Sequence, residues 1–429
     1  MWCYFGGWLV LPVAYYPPST MTASFDSINV IGAALPSNLG ITKAAVVPAT
    51  TLVAWIVTGA RRIPVPDFSP LDAVMAGFCL WPLAGAIVRG GDVASAWGDA
   101  AYLTASWGAS WALARGLFRR PEHWLMLLRG AAWSGAALLP VAALEAVRGP
   151  WLYPLIWGSH PFLLEGGQRT FGFRPLGFFE HGNQYGVWLA SAAFAWLALG
   201  SLGALQRRDW FFAGLNVAAV IVAQSVAGIV LLTLATAALF IRPNVLRRGL
   251  LFGAVALGLL GAVYLSGALP AQRLANNATF RRLTVEQLKP LRIGSLFSRI
   301  RRDQAAIPLL REATIVGTGK WDWWRPVQSH PWGFPLLLVG QFGLMSLLLL
   351  LAAWLTPPVM ALFRNDERAL RCALFIAIGA IDAAFNSFVY FPSVLLAAAM
   401  AGGIPSLAGS ESIVVDNHDR PLPMPRRNP

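Results

Sequence analysis

Long runs of apolar residues follow one another along this chain, and polar residues gather in the segments between them. A membrane-spanning helix takes about 20 apolar residues, and most of the runs approach that length. The middle of the runs is almost free of charge, with Asp99, Arg129 and Asp382 as the exceptions. The pattern predicts twelve spans, near residues 3–16, 41–60, 71–88, 95–114, 124–147, 184–202, 210–224, 226–241, 249–268, 334–356, 369–386 and 389–403.

Composition supports the same class. Of 429 residues, 56% are hydrophobic and 12% are charged, whereas an average soluble domain has about 25% charged residues. The sequence therefore predicts an all-α, polytopic integral membrane protein whose membrane domain covers residues 1–403. Residues 404–429 are polar and Pro-rich, which predicts a disordered cytoplasmic tail. The three cysteines lie far apart in apolar stretches, so neither a disulfide framework nor a metal site is expected from them.

Basic residues in the short connections indicate the orientation, because cytoplasmic loops carry an excess of Lys and Arg. One set of connections carries Arg61, Arg62, Arg115, Arg119, Arg120, Arg207, Arg208, Arg242, Arg247, Arg248, Arg364, Arg368 and Arg371. The opposite short connections carry almost nothing beyond Arg89. Both termini are therefore predicted to be cytoplasmic. The two longer segments, about 148–183 and 269–333, then lie outside, and the second carries an unusual excess of basic residues.

The first outer segment contains Arg169, Arg174, Glu180 and His181 and leads directly into a span. Such groups are costly at a membrane boundary. They are either interfacial residues and loop caps, or a phosphate clamp at a helix entrance. At such an entrance, guanidinium forks and free helix N–H groups both favour an anion.

The second outer segment carries Arg299, Arg301 and Arg302, followed by the tryptophan cluster Trp321–Trp324 and by His330 just before a span. The tryptophans are typical of an interfacial aromatic belt, and stacking on sugar rings is the alternative. An interfacial histidine is often structural. Its ordinary pKa nevertheless suits a general base near neutral pH, so His330 is also a catalytic candidate.

Three motifs in these outer segments resemble the O-antigen ligase and polymerase superfamily of bacterial envelope glycan enzymes. The first is Arg174-x-x-Gly177-x5-Asn183 at the start of a span. The second is Ser298-Arg299 followed by Ala305-Ala306 and by Gly317-x-Gly319. The third, His330-x9-Gly340-x-x-Gly343, is similar to the signature of O-antigen ligases. The resemblance covers the span number, the topology and roughly residues 165–350.

This resemblance implies glycan transfer from a polyprenyl diphosphate-linked donor at the periplasmic face of the bacterial inner membrane. The acceptor would be a glycan or lipid A–core, and the protein's partners would be these substrates and the bilayer, without nucleic acid. Arg174 and Arg299 would bind the diphosphate, with Arg169, Arg301 and Arg302 as weaker candidates. His330 would be the base, with Glu180 and His181 as fallback bases and Asn183, Gly340 and Gly343 in support. Transfer would invert configuration, and neither a metal ion nor a cofactor is expected.

Departures from the family pattern keep the subclass open. Pro331 follows the histidine, Gly182 precedes Asn183, and the turn Gln224–Gly228 lacks the arginine that the family often carries. A polymerase and a protein O-oligosaccharyltransferase of the same superfamily are therefore alternatives to a ligase. A metal-dependent transferase would depend on Asp26, the acidic residue of the first outer loop. A lipid-linked glycan transporter is the alternative without catalysis.

Overall fold

The computed structural model describes residues 1–13, 42–59, 68–158, 160, 166–268, 273, 277–282 and 293–402, and nearly all of this part is helical. The helices are α1 (Trp2–Val10), α2 (Lys43–Gly59), α3 (Pro70–Arg89), α4 (Val93–Leu103), α5 (Ala109–Leu117), α6 (Pro121–Arg148), α7 (Leu152–Trp157), α8 (Gly182–Ser201), α9 (Arg207–Val222), α10 (Val226–Ala238), α11 (Pro243–Leu265), α12 (Ala278–Arg281), α13 (Ile293–Ala306), α14 (Phe334–Leu362), α15 (Glu367–Phe385) and α16 (Phe391–Gly402). Two short strands, β1 (Gln168–Arg169) and β2 (Gly172–Phe173), form an antiparallel hairpin.

The predicted all-α class is confirmed, apart from this hairpin. Each predicted apolar run contains a described helix, and one run contains both α4 and α5, which the π turn Thr104–Gly108 joins without a break in helical backbone angles. Among the described residues, four helices, α3, α6, α11 and α14, are long and apolar enough to cross a membrane, and the twelve-span number stays a prediction. The predicted tail 404–429 and Asp26 lie outside the described residues.

Two groups of connections lie at opposite ends of the helix bundle. At one end, the short turns after α5, α8, α10 and α14 meet; there Arg115 pairs with Asp72, and Arg247 donates to Asn365. We call this the short-connection end. At the other end, Arg89 donates to the Val316 carbonyl from the last residue of α3. The described residues of segments 149–181 and 266–333 lie at that end, which we call the loop end.

Helix α8 is buried along almost its whole length and packs against α6, α9 and α10. Small residues allow this close approach, as they do in membrane helix pairs. A β-carbon on Gly135 would lie 2.3 Å from the β-carbon of Ala192, and one on Gly228 would lie 2.8 Å from the Gly186 carbonyl oxygen. The N-terminus of α8 is therefore held firmly at the loop end.

Of the three charged residues that the sequence places in the middle of spans, one lies close to a helix end, and the other two interact with residues at helix ends or in connections. Asp382 is in the last turn of α15, where its carboxylate accepts a hydrogen bond from Asn386. Asp99 interacts electrostatically with Arg89 at the end of α3. Arg129 donates to the Ala204 carbonyl, 2.9 Å away in a short connection. Depth in a span could not be read from the sequence, because the run boundaries do not show where each helix ends.

Candidate functional site

The turn that carries Arg174 is fixed by a carboxylate that the sequence reading missed. The backbone N–H groups of Leu176 and Gly177 each donate to Oε2 of Glu145 over 2.8 Å, and Glu145 is in the last turn of α6. Gly177 adopts a φ of 51°, which favours glycine. The Arg174-x-x-Gly177 spacing therefore describes a tight turn that is docked on the end of α6.

Arg174 is 3% exposed and lies over the first turn of α8. Its Nη2 donates to Oδ1 of Asn183, which also accepts a 3.4 Å hydrogen bond from the hydroxyl of Ser225. A β-carbon on Gly182 would lie 2.2 Å from Nε of Arg174, so the guanidinium passes over this position only because it is glycine. The first motif thus places a guanidinium at a helix N-terminus, where an anion is also favoured by the helix.

One ring nitrogen of His181 is already engaged in a structural hydrogen bond, which argues against His181 as a fallback base. It is the N-cap residue of α8, and its Nδ1 accepts the backbone N–H of Asn183 over 2.9 Å. The ring edge packs near Trp332 and Phe388, with centroid distances of 6.3 and 5.6 Å. His181 therefore joins the α8 entrance to the segment that follows His330.

Glu180 is buried beside the same helix entrance. Neither carboxyl oxygen has a hydrogen-bond partner among the described residues, and burial raises the pKa of this carboxyl while the charge of Lys43 opposes the rise. Lys43 itself donates to the Phe178 carbonyl and lies over the Phe179 ring. Lys43 had no signal in the sequence beyond its place at the start of a span.

The second motif places two arginines on one face of α13. Arg299 and Arg302 are three residues apart, a spacing that puts both on the same side of a helix. Their guanidinium carbons lie 4.7 and 5.8 Å from the Trp332 ring centroid. Arg299 also donates to Oδ1 of Asn386 and, over 3.2 Å, to the Phe385 carbonyl. Arg301 points from α13 toward solvent.

Asp303 ties this helix to its neighbours. One carboxylate oxygen accepts the backbone N–H of Trp332 over 2.8 Å, and the other accepts the hydroxyl of Tyr264 over 2.9 Å. Burial raises the pKa of Asp303 to about 6, although these hydrogen bonds and Arg299 oppose the rise. The sequence reading missed Asp303 and Trp332, since a single Asp and a single Trp in a long loop carry no spacing signal.

His330 is 1% exposed, and neither ring nitrogen has a hydrogen-bond partner within the described part of the chain. The Trp324 ring meets it edge-on at a centroid distance of 4.7 Å. Burial, and then the positive charge of Arg302, lower the pKa of His330 to about 3. The imidazole is therefore neutral at neutral pH, and its unprotonated nitrogen is the atom that could accept a proton.

The glycines of the second and third motifs pack against each other. Gly343 has a φ of 85° and interrupts α14. The carbonyls of Gly340 and Gln341 that this interruption exposes accept the N–H groups of Thr318 and Gly319, over 2.9 and 2.8 Å. A break in a helix leaves backbone carbonyl groups without their partners in that helix, and in a membrane protein these groups need other donors. Gly340 and Gly343 therefore act by docking the outer loop on α14.

A β-carbon at these positions has no room. On Gly317 it would lie 2.3 Å from the Gln341 carbonyl oxygen, on Gly343 2.0 Å from that of Ile315, and on Gly340 1.8 Å from the Trp323 ring. The loop that carries His330 is thus held through its Gly317-x-Gly319 segment. This close approach gives a physical reason for both glycine pairs.

The structure brings most of the predicted residues to one end of the bundle. Arg174 and Asn183 connect through His181 to Trp332, and Trp332 connects to Arg299, Arg302 and the His330 segment. Arg169 lies apart, on the β1 strand of the hairpin. No group of three or more His, Cys, Asp or Glu side chains that could hold a metal ion occurs among the described residues.

Comparison with known proteins gives no relative. No protein-family model matches the chain, and neither a curated protein nor a solved structure matches it. The site itself therefore supplies the functional argument.

Proposed function

We propose that this protein is a membrane glycosyltransferase that takes a glycan from a polyprenyl diphosphate-linked donor and transfers it to a glycan or lipid A–core acceptor, most like an O-antigen ligase. One observation carries the proposal: segments more than 100 residues apart place Arg174, Arg299 and His330 at the same end of the bundle. Cations suited to a diphosphate and a neutral base thus lie together.

The proposal includes the placement in the membrane. The protein crosses the bacterial inner membrane twelve times, with both termini in the cytoplasm and the loop end in the periplasm. In support, the described arginines of the short connections, such as Arg115 and Arg247, are at the end opposite His330. Excess positive charge in short connections is typical of the cytoplasmic side.

The arginines act on the leaving group. Polyprenyl diphosphate is already anionic and leaves without an acid, so its developing charge needs only cations that are already in position. Arg174 and Arg299 supply them in the proposal, with Arg302 beside Trp332 and with Arg169 and Arg301 farther out. Asn183 and Asn386 orient the two main guanidinium groups by their amide oxygens.

His330 takes the proton of the acceptor hydroxyl. The hydroxyl oxygen forms a bond to the anomeric carbon while the bond from that carbon to the diphosphate oxygen breaks on the opposite face, which inverts configuration. The hydroxyl proton passes to the imidazole. The low pKa makes His330 a weak base on its own. Burial is the larger cause of this low pKa and the positive charge of Arg302 is the smaller one, and an anion bound near Arg302 would offset the smaller one. Base strength would then increase only when the donor is bound.

Polymerisation and transfer to protein use the same chemistry with another acceptor, so they remain versions of this proposal. A transporter is less well supported, because transporters place ionisable groups near the bilayer midplane. Asp382 lies in the last turn of α15, Arg129 donates to a carbonyl in a short connection, and Asp99 interacts with Arg89, the last residue of α3.

The test is a gel of envelope glycans from a null strain complemented with wild type, His330→Ala or His123→Ala. His123 is in the first turn of α6 at the short-connection end and serves as the matched control. We expect His330→Ala to abolish transfer at normal membrane levels and His123→Ala to restore it. Core without polymer, with lipid-linked chains accumulating, identifies a ligase, whereas core with a single repeat identifies a polymerase. Normal glycan in the His330→Ala strain contradicts the base assignment.

A further inference from the structure

The ring of Trp332 lies between two arginines of α13 and the N-cap histidine of α8. The guanidinium of Arg299 lies 4.7 Å from its ring centroid and that of Arg302 lies 5.8 Å from it. The edge of His181 approaches the same ring. Two arginines, which repel each other electrostatically, are thus attracted to one aromatic surface.

The backbone of Trp332 is itself fixed. The backbone N–H of Trp332 donates to Asp303, which follows Arg302 on α13. Gly333, the residue after Trp332, packs against the carbonyl of Ala384 with no room for a β-carbon. Trp332 is therefore placed by α13 on one side and by the end of α15 on the other. Its ring position does not depend on the arginines alone.

An arginine side chain has many rotamers, and ordering it costs conformational entropy. Cation–π contact with a fixed indole opposes that cost. Arg299 is also held by Asn386 and by the Phe385 carbonyl, so the ring restricts the freedom that is left to Arg299 and that of Arg302. Removing the aromatic face would leave both charges present but widen the range of their positions.

We propose that Trp332 is a positioning residue that orders Arg299 and Arg302 as a two-arginine clamp for a diphosphate group. The identity of the anion rests on the proposed function, whereas the ordering of the two arginines rests on the contacts of Trp332. The proposal distinguishes Trp332 from Trp321, whose ring contacts Arg325 at 5.9 Å elsewhere in the same loop.

The experiment measures binding of inorganic pyrophosphate to the purified full-length protein in detergent by titration calorimetry. We expect Trp332→Leu to weaken binding about tenfold or more, since two cation–π contacts are lost. Trp332→Phe keeps an aromatic face and should bind within about threefold of wild type. Trp321→Leu removes a similar contact with a different arginine and should bind as wild type does.

A double-mutant cycle separates positioning from a general structural role. In the Arg299→Gln/Arg302→Gln background, Trp332→Leu should have no further effect on pyrophosphate binding, because there is no guanidinium left to order. The same loss in both backgrounds would overturn the proposal, and so would wild-type binding by Trp332→Leu. Equal losses in the Phe and Leu variants would also overturn it.

The results distinguish a failure of the positioning role of Trp332 from a failure of the proposed function. If wild type binds pyrophosphate and the cycle behaves as expected, but the purified protein transfers no glycan from a polyprenyl diphosphate donor, the clamp stands and the proposed function fails. If wild type transfers glycan while Trp332→Leu binds pyrophosphate unchanged, the proposed function stands and the positioning role fails. If wild type does not bind pyrophosphate, the clamp is refuted.

Discussion

Both ends of the bundle collect arginines, but the partners of these arginines differ. At the short-connection end, Arg115 donates to both carboxylate oxygens of Asp72 over 2.9 and 3.1 Å, and Trp111 donates to the same carboxylate. At the loop end, the hydrogen-bond partners of Arg174 and Arg299 include the amides of Asn183 and Asn386, and Arg299 also interacts electrostatically with Asp303 and Asp382. A carboxylate that accepts two hydrogen bonds from a guanidinium neutralises it and locks helices together, whereas an amide hydrogen bond only orients it.

The backbone conformation also differs between the two ends of the bundle. Helices at the short-connection end begin with ordinary caps, as at Ser69 and Asp366, whose side chains accept backbone N–H groups. At the loop end, α14 is interrupted at Gly343, and Gln224 and Gln328 adopt positive φ angles. Irregular backbone and uncommon conformations concentrate at functional sites. We therefore expect substitutions at the short-connection end to act on stability and substitutions at the loop end to act on the proposed activity.

The largest expected contrast is between Arg174→Gln and Arg115→Gln. Loss of one preorganised cation at the site should slow transfer about 100-fold or more, with little change in thermal stability. Arg115 is 6% exposed and its partner Asp72 is 18% exposed, so breaking that pair should destabilise the fold by about 3 kcal/mol. Turnover per folded molecule and the thermal unfolding midpoint in detergent measure the two effects. Slow turnover in folded Arg115→Gln would break the comparison.

A smaller contrast concerns glycine. In Gly343→Ala, the new β-carbon meets the Ile315 carbonyl oxygen at a φ of 85°, and such overpacking costs about 1–3 kcal/mol. The unfolding midpoint should fall and transfer should weaken, because the docked loop carries His330. Gly253→Ala in α11 is the control, since no atom lies within 4 Å of its β-carbon position. Equal midpoints for the two variants would show that the loop is not held through this break.

The smallest expected effect is the pH dependence of stability. The pKa of His330 is about 3 in the folded chain and ordinarily 6.5. Below pH 6.5 the unfolded chain binds a proton that the folded chain does not, so stability falls as the pH is lowered toward 3. His160, whose pKa burial lowers to about 4, adds to the same slope.

The measurement is the drop in unfolding midpoint between pH 7 and pH 5. We expect a smaller drop in His330→Gln than in wild type, and a drop like that of wild type in the control His123→Gln at the short-connection end. If the unfolding midpoint of His330→Gln fell as much as that of wild type, the His330 imidazole would not be buried as a neutral group.

The sequence by itself determined the features that depend on local pattern. Apolar runs mark the helices, since a run of that length forms a helix wherever it lies in the bundle. The spacing of Arg299 and Arg302 places both on one face of α13, because three residues make nearly one helical turn. The order of the three motifs followed from reading along the chain, and the arginine excess separated the two sets of short connections.

Only the tertiary structure decided which residues meet. Glu145 holds the turn of Arg174 from another helix, Asn386 holds Arg299 from 87 positions away, and Trp332 joins the motifs although it belongs to none of them. The position of Asp382 in the last turn of α15 came from the fold as well. Contacts between distant segments depend on how helices pack, and packing is set by the shape of whole surfaces rather than by the spacing within one segment.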